Sequence, residues 1–375
     1  MSAKITYLAH LRFPSERAHA AQVAHMCSAF AQNEAAVTLL VPWRQSQVPE
    51  SAFTYYNLPA EFAIRHIFCT PWNVSTRLGY WSSLLVYAIR SVLIVYANKT
   101  DLVYSRDEVV LWVLSLFYQN KRLIWESHEA KYNFFARALF QRGVKCVVIS
   151  EGIRDRYRQH GISAEQLLVA HDGIDESFFG QLETKDQART RLGISTENPV
   201  VMYIGGLDAW KGVETLLAAS QVVDAVTFTI IGGKDDEVKL CQAQYPKVQF
   251  LGSRPYRELP SNQQAADLLV IPNTAANKLS SAYTSPLKLF AHLASGIPLV
   301  VSDIASLRTV VTEEEVTFFL PDNPEDLAAK IKSVLSAGQA NAYKQQNALA
   351  KARCYTWRER ATQIMQFSKL DTRCK

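Results

Sequence analysis

The run Tyr283-Thr-Ser-Pro-Leu-Lys-Leu-Phe-Ala-His-Leu-Ala-Ser-Gly-Ile-Pro298 has residue types that can hold an anion. Ser285 followed by Pro286 is an N-cap and first-turn pair, and Gly296 with Pro298 closes the helical pattern. The first turn then offers the free amides of Leu287 and Lys288, with the positive end of the helix dipole, to whatever lies ahead. A diphosphate suits such a site. A packed helix that simply starts on Ser-Pro satisfies the same pattern. A second candidate is Tyr203-Ile-Gly-Gly-Leu-Asp-Ala-Trp-Lys-Gly212: a strand, a turn through Gly205 and Gly206, and Lys211 just before a helix. The glycines allow close backbone approach, and the lysine places a point charge beside phosphates. The spacing matches neither a dinucleotide fingerprint nor a Walker loop, so a plain β-α turn with an exposed lysine is the alternative.

Three further positions are candidates. His128 ends Glu126-Ser-His128 just past an apolar strand, where α/β sheets place ligands; a structural histidine is the competing reading. Ser15 either faces a ligand or caps the helix that follows it. Arg106, just past another strand, reads as a solvated charge. No D-x-D triplet, metal-spaced His/Cys cluster or G-x-S-x-G elbow occurs, so neither a metal nor serine hydrolysis is indicated.

The elements that must position these residues alternate short apolar runs with amphipathic stretches, the pattern of repeated β-α units. Expected strands are Ile5–Leu8, Val37–Val41, Leu102–Tyr104, Leu123–Trp125, Val144–Ile149 and Leu167–Ala170. A second series follows at Val200–Ile204, Phe228–Ile231, Val248–Phe250, Leu268–Ile271 and Leu299–Val301. Most are continuous rather than alternating, as strands buried on both faces should be. Between the series lies Asp175–Asn198, polar and charged with one short helical pattern, which reads as the domain boundary and the linker about which the domains move. The expected fold class is α/β: two Rossmann-like, doubly wound domains facing across a cleft, over residues 1–175 and 176–352, with 353–375 as a terminal helix. Tyr80–Tyr96 is apolar nearly all round and reads as a buried helix, with an aromatic rim that could graze a bilayer.

The formal charge of +5 is diffuse. The first 175 residues carry 18 Lys+Arg against 14 Asp+Glu, and seven of the eight histidines. Such an excess suits an anionic small molecule or membrane surface, and argues against nucleic acid. The six cysteines form no C-x-x-C pair and read as reduced thiols of a cytoplasmic protein. No signal-peptide pattern opens the chain, and a peripheral position at the inner membrane face fits the composition.

Gly205-Gly206-Leu-Asp-Ala-Trp-Lys211-Gly212, Ile230-Ile-Gly-Gly233, Val248–Gly252, Ala266-Asp267 and Ser285–Gly296 with Pro298-Leu-Val-Val-Ser-Asp303 resemble the carboxy-terminal domain of family 4 glycosyltransferases. Phe13-Pro-Ser-Glu-Arg-Ala-His19, Glu126-Ser-His128, His171-Asp-Gly-Ile-Asp175 and Tyr355-Thr-Trp357 fall where that family has its other motifs. The resemblance covers nearly the whole chain. It implies the GT-B architecture, retaining sugar transfer, a UDP- or GDP-sugar donor held by the second domain, a saccharide or lipid-linked acceptor, and no separate cofactor. It also implies that His128 touches the transferred sugar. The family's two glutamates, with seven residues between them, correspond to Tyr283 and Ala291, and its arginine before the lysine corresponds to Gly206. These departures put donor recognition and turnover in question, and a non-catalytic GT-B scaffold is the competing reading.

Overall fold

The computed structural model describes residues 2–15, 17–69, 76–180, 183–195, 197–277 and 287–369. The chain divides into two compact units, Met1–Asp172 with Trp357–Lys375, and Gly173–Thr356. Each is built on one wholly parallel sheet. The first unit contains β1 (Lys4–Leu8), β2 (Ala36–Pro42), β3 (Ala63–Ile67), β4 (Leu102–Ser105), β5 (Leu123–Ser127), β6 (Lys145–Val148) and β7 (Leu167–Val169), in the order β3-β2-β1-β4-β5-β6-β7. The second contains β8 (Val200–Ile204), β9 (Thr227–Ile231), β10 (Gln249–Phe250), β11 (Leu268–Ile271), β12 (Leu299–Ser302) and β13 (Thr317–Phe319), in the order β10-β9-β8-β11-β12-β13. In both sheets the strand order reverses beside the first strand, between β1 and β4 and between β8 and β11. Loops leaving these strands diverge there and open a crevice, the place where doubly wound sheets receive ligands.

The central strands β4, β5, β11 and β12 are buried at every position, which is why they read as unbroken apolar runs. Two strands were not expected. In β3 three of five residues are exposed, and its Arg65 and His66 break the apolar signal, as befits an edge strand. The strand β13 is only three residues long.

The helix Ala18–Gln32 lies against the first sheet and against the terminal helix Trp357–Ser368. Val23, Ala24 and Cys27 share a core with Trp357, Ala361, Ile364 and Met365, and His25 stacks on Trp357 with ring centroids 5.7 Å apart. Trp357 is the first residue to return to this unit. The preceding Thr356 forms an isolated parallel bridge with Ile174.

Two expectations are corrected. Asp175–Asn198 is not a free linker. It contains the helix Lys185–Leu192, capped by Thr184 and Gln187, and Phe178, Ala188, Leu192 and Ile194 are buried in the core of the second unit. Its charged outer face masked an apolar inner one. Arg77–Ala97, the helix over Tyr80–Tyr96, is not buried all round: Leu78, Leu85, Ile89 and Leu93 are each at least half exposed.

Candidate functional site

In the second unit, β8 ends on Tyr203 and Ile204, and the chain turns through Gly205 and Gly206 beside the strand-order reversal. The Lys288 ammonium donates to the Tyr203 hydroxyl at 2.9 Å and sits 4.2 Å from the centre of its ring. The same hydroxyl donates to the Gly206 carbonyl at 2.8 Å, so one phenol ties the lysine to the glycine turn. Lys211 folds back and donates to Asp208 Oδ2 at 2.5 Å. A Cβ on Gly205 would overlap Lys288 Nζ, and one on Gly206 would overlap Lys211 Nζ. Each glycine therefore leaves room for one ammonium group, and two cations converge on one turn. Burial and the nearby charge of Lys211 push the Lys288 ammonium down to about 7. One carboxylate, Asp208, answers two lysines, and the remaining positive charge favours an incoming anion.

Leu287 and Lys288 open the described helix Leu287–Leu293. Tyr283, Ser285 and Pro286 lie outside the described residues. Ala291 is 1% exposed and packed in the core of this unit. The next residue, His292, is fully buried and held 2.6 Å from Gln263 through Nδ1.

In the first unit, β5 delivers Glu126 into a buried polar network. Glu126 Oε1 lies 2.6 Å from His128 Nε2, accepts from Arg360 at 2.8 Å and from Gln22 Nε2 at 2.7 Å. Burial raises the Glu126 pKa, but Arg360, His128 and Arg106 outweigh it and hold the carboxyl well below its ordinary range. Arg106 donates to Gln22 Oε1 at 3.1 Å and, with Glu126 and His128, lines a small cavity of about 130 Å³. Arg106 is thus part of the network, not the solvated charge expected. A charged residue at a strand end reveals nothing about which buried amide it meets. Glu126, His128 and Asp172 bring three ligand-type atoms within 4.8 Å of one another. Arg360 stands among them, 3.9 Å from Asp172, so the local countercharge is a guanidinium.

Sequence reasoning found His128 but not Gln22 or Arg360, which approach from helices 104 and 234 residues away in the chain. Ser15 is buried, and its backbone exchanges two hydrogen bonds with the Tyr56 hydroxyl. It does not cap the following helix, whose N-cap is Arg17.

Two doubly wound units, the second with paired lysines on a glycine turn, define the class of two-domain α/β proteins. Comparison with known proteins narrows it. Residues 198–337 match the family described as glycosyl transferases group 1. A D-inositol 3-phosphate glycosyltransferase of Corynebacterium aurimucosum is 24% identical over 231 residues, covering 56% of this chain and 53% of that protein. A putative teichuronic acid biosynthesis glycosyltransferase, TuaC of Bacillus subtilis, is 23% identical, over 61% of this chain and 56% of its own length. The chain spans about half the length of the curated relatives it matches. Among solved structures, HepE of Anabaena in complex with UDP superposes with a TM-score of 0.73 at 18% identity, covering 97% of this chain and 98% of that one. A glycosyltransferase of Rickettsia africae gives 0.77 at 13% identity, over 98% of each chain. The chain has the GT-B fold, and residues 198–337 of its second unit match group 1 glycosyl transferases, in line with its resemblance to family 4 glycosyltransferases.

Proposed function

We infer that the protein is a retaining glycosyltransferase, moving a hexose from a UDP- or GDP-sugar to a saccharide or lipid-linked acceptor in cytoplasmic glycan synthesis. The observation that carries this reading is the convergence of Lys211 and Lys288 on the Gly205-Gly206 turn within the group 1 glycosyltransferase domain. Two ammonium groups and the amides of Leu287 and Lys288 are the donors a departing diphosphate needs. The sugar–diphosphate C1–O bond breaks as the acceptor oxygen bonds to C1 on the same face. The acceptor proton passes to a diphosphate oxygen. His128, held by Glu126, is assigned to the transferred sugar. HepE and its complexes with UDP and UDP-glucose support a nucleotide-sugar donor.

Lys211→Ala is expected to weaken binding of the nucleoside diphosphate by about 2 kcal/mol, the scale of one charge-assisted hydrogen bond. Stability should barely change, because the Lys211–Asp208 pair is partly exposed. Titration calorimetry with UDP and GDP checks this, and unchanged affinity and turnover would remove Lys211 from the site. Affinity should also fall as pH rises through and above 7, because the anion binds the protonated form of Lys288 and that ammonium loses its proton there. A Lys288→Met variant should lose that pH dependence.

The alternative, a non-catalytic GT-B scaffold, draws on Tyr283 and Ala291 standing where the family has glutamates. Nucleotide binding without hydrolysis or transfer from any UDP- or GDP-sugar would favour it.

A further inference from the structure

The helix Arg77–Ala97 inverts the usual logic of a surface helix. Its inner face is partly polar and is bound to the sheet: the Tyr87 hydroxyl accepts from the Ala9 amide at 2.9 Å and donates to the Leu40 carbonyl at 2.7 Å. On the same face Ser83 lies 3.2 Å from His10 Nε2, and Ser91 is fully buried. Its outer face presents Leu78, Trp81, Leu85, Ile89, Leu93 and Tyr96, all exposed, at helical spacings of three and four. Leu78 is 82% exposed and Leu93 67%. Water is a poor solvent for such a stripe, and a ridge six apolar side chains long calls for a covering.

Charge identifies the covering. The helix contains no acidic residue, and none stands anywhere between Glu61 and Asp101. The same stretch holds Arg65, Arg77, Arg90 and Lys99. Arg90 projects beside exposed Phe68, donating to its carbonyl at 2.6 Å. An apolar ridge bearing tryptophan and tyrosine, on a helix with basic and no acidic residues of its own, complements an anionic lipid surface in both its acyl and headgroup layers. The nearest carboxylates, Asp107 and Glu108, lie at the start of the neighbouring helix, toward Tyr80.

We propose that this face docks the protein on an anionic bilayer, the helix Arg77–Ala97 lying in the membrane interface with Leu78, Trp81, Leu85, Ile89, Leu93 and Tyr96 inserted. The helix is long and apolar enough to cross a membrane. Crossing would strip Tyr87 and Ser83 of their partners in the sheet, so it lies on the bilayer instead. The proposal stands apart from the transfer chemistry and does not need it.

The test is flotation of the full chain with vesicles of phosphatidylcholine alone, or mixed equally with phosphatidylglycerol. Binding should be on the order of tenfold stronger to the anionic vesicles and should weaken with added salt. Leu85→Gln with Leu93→Gln alters only exposed side chains and should lower binding on the order of a hundredfold, with nucleotide affinity unchanged. Arg77→Gln with Arg90→Gln should lose the preference for anionic vesicles. Equal flotation of wild type and the leucine variant would overturn the proposal. So would a vesicle-free dimer, seen by light scattering, that the leucine substitutions dissociate, because a second copy would then be the cover. Protein retained by vesicles after alkaline carbonate washing would overturn the surface-lying geometry.

Discussion

Arg360→Met is expected to destabilise the first unit by about 3–5 kcal/mol, the cost of leaving a buried charge without its partner. The Arg360 side chain is 2% exposed and the Glu126 side chain fully enclosed, so no solvent can replace the guanidinium. The two residues link the terminal helix to the centre of the sheet. Glu126→Gln in the Arg360→Met background removes the stranded charge while keeping an acceptor for Gln22, and should recover much of the loss. Urea denaturation of the three proteins measures this; an unchanged midpoint in the single variant would refute the role given to Arg360.

The pH dependence gives a second readout. In the wild type the folded-state pKa of Glu126 is depressed, so its stabilisation is complete above the ordinary carboxylate pKa and is lost as pH falls toward the folded value. Without Arg360 the largest charge opposing burial is gone, so the carboxyl rises from its depressed value. The variant should therefore lose less stability than the wild type as pH falls through the acid range. Because Glu126 also holds His128, Gln22 and, through Gln22, Arg106, loss of the pair should loosen the whole cavity.

Ala291→Glu, which restores the family's carboxylate, is expected to cost about 3 kcal/mol or more of stability without tightening nucleotide binding. Ala291 lies in an apolar cluster with Leu289, Phe290 and Leu293, and a carboxylate there has neither space nor water. Burial and the charge of Lys288 hold the His292 imidazole down to about 3, so it is neutral and offers no countercharge. Lys288, three residues back on the helix, is engaged by the Tyr203 hydroxyl and ring. Thermal unfolding and nucleotide titration separate the outcomes. A variant that keeps its stability and binds UDP or GDP more tightly would mean that the introduced carboxylate reaches the ligand after all.

The two β-α series are legible in the residues alone, because strands buried on both faces must be apolar at every position and such runs are visible without coordinates. The Gly205-Gly206 turn and Lys211 stand out in the same way, since glycines after a strand and a lysine before a helix are local features. The helix of Asp175–Asn198 was legible as one short helical pattern, but its burial in the second unit was not, because its few inward residues are scattered among charges; β3 was missed because an edge strand carries exposed Arg65 and His66. The remainder was settled by packing, which no local pattern records. Packing brought Lys288 to Tyr203 and Arg360 to Glu126, across 85 and 234 residues of chain. It also chose which side of Arg77–Ala97 faces the sheet. A helix apolar nearly all round does not encode its own orientation; here the hydrogen bonds of Tyr87 and Ser83 and the burial of Leu84, Ser91 and Val95 fix the inner side and leave Leu78, Leu85 and Leu93 outside.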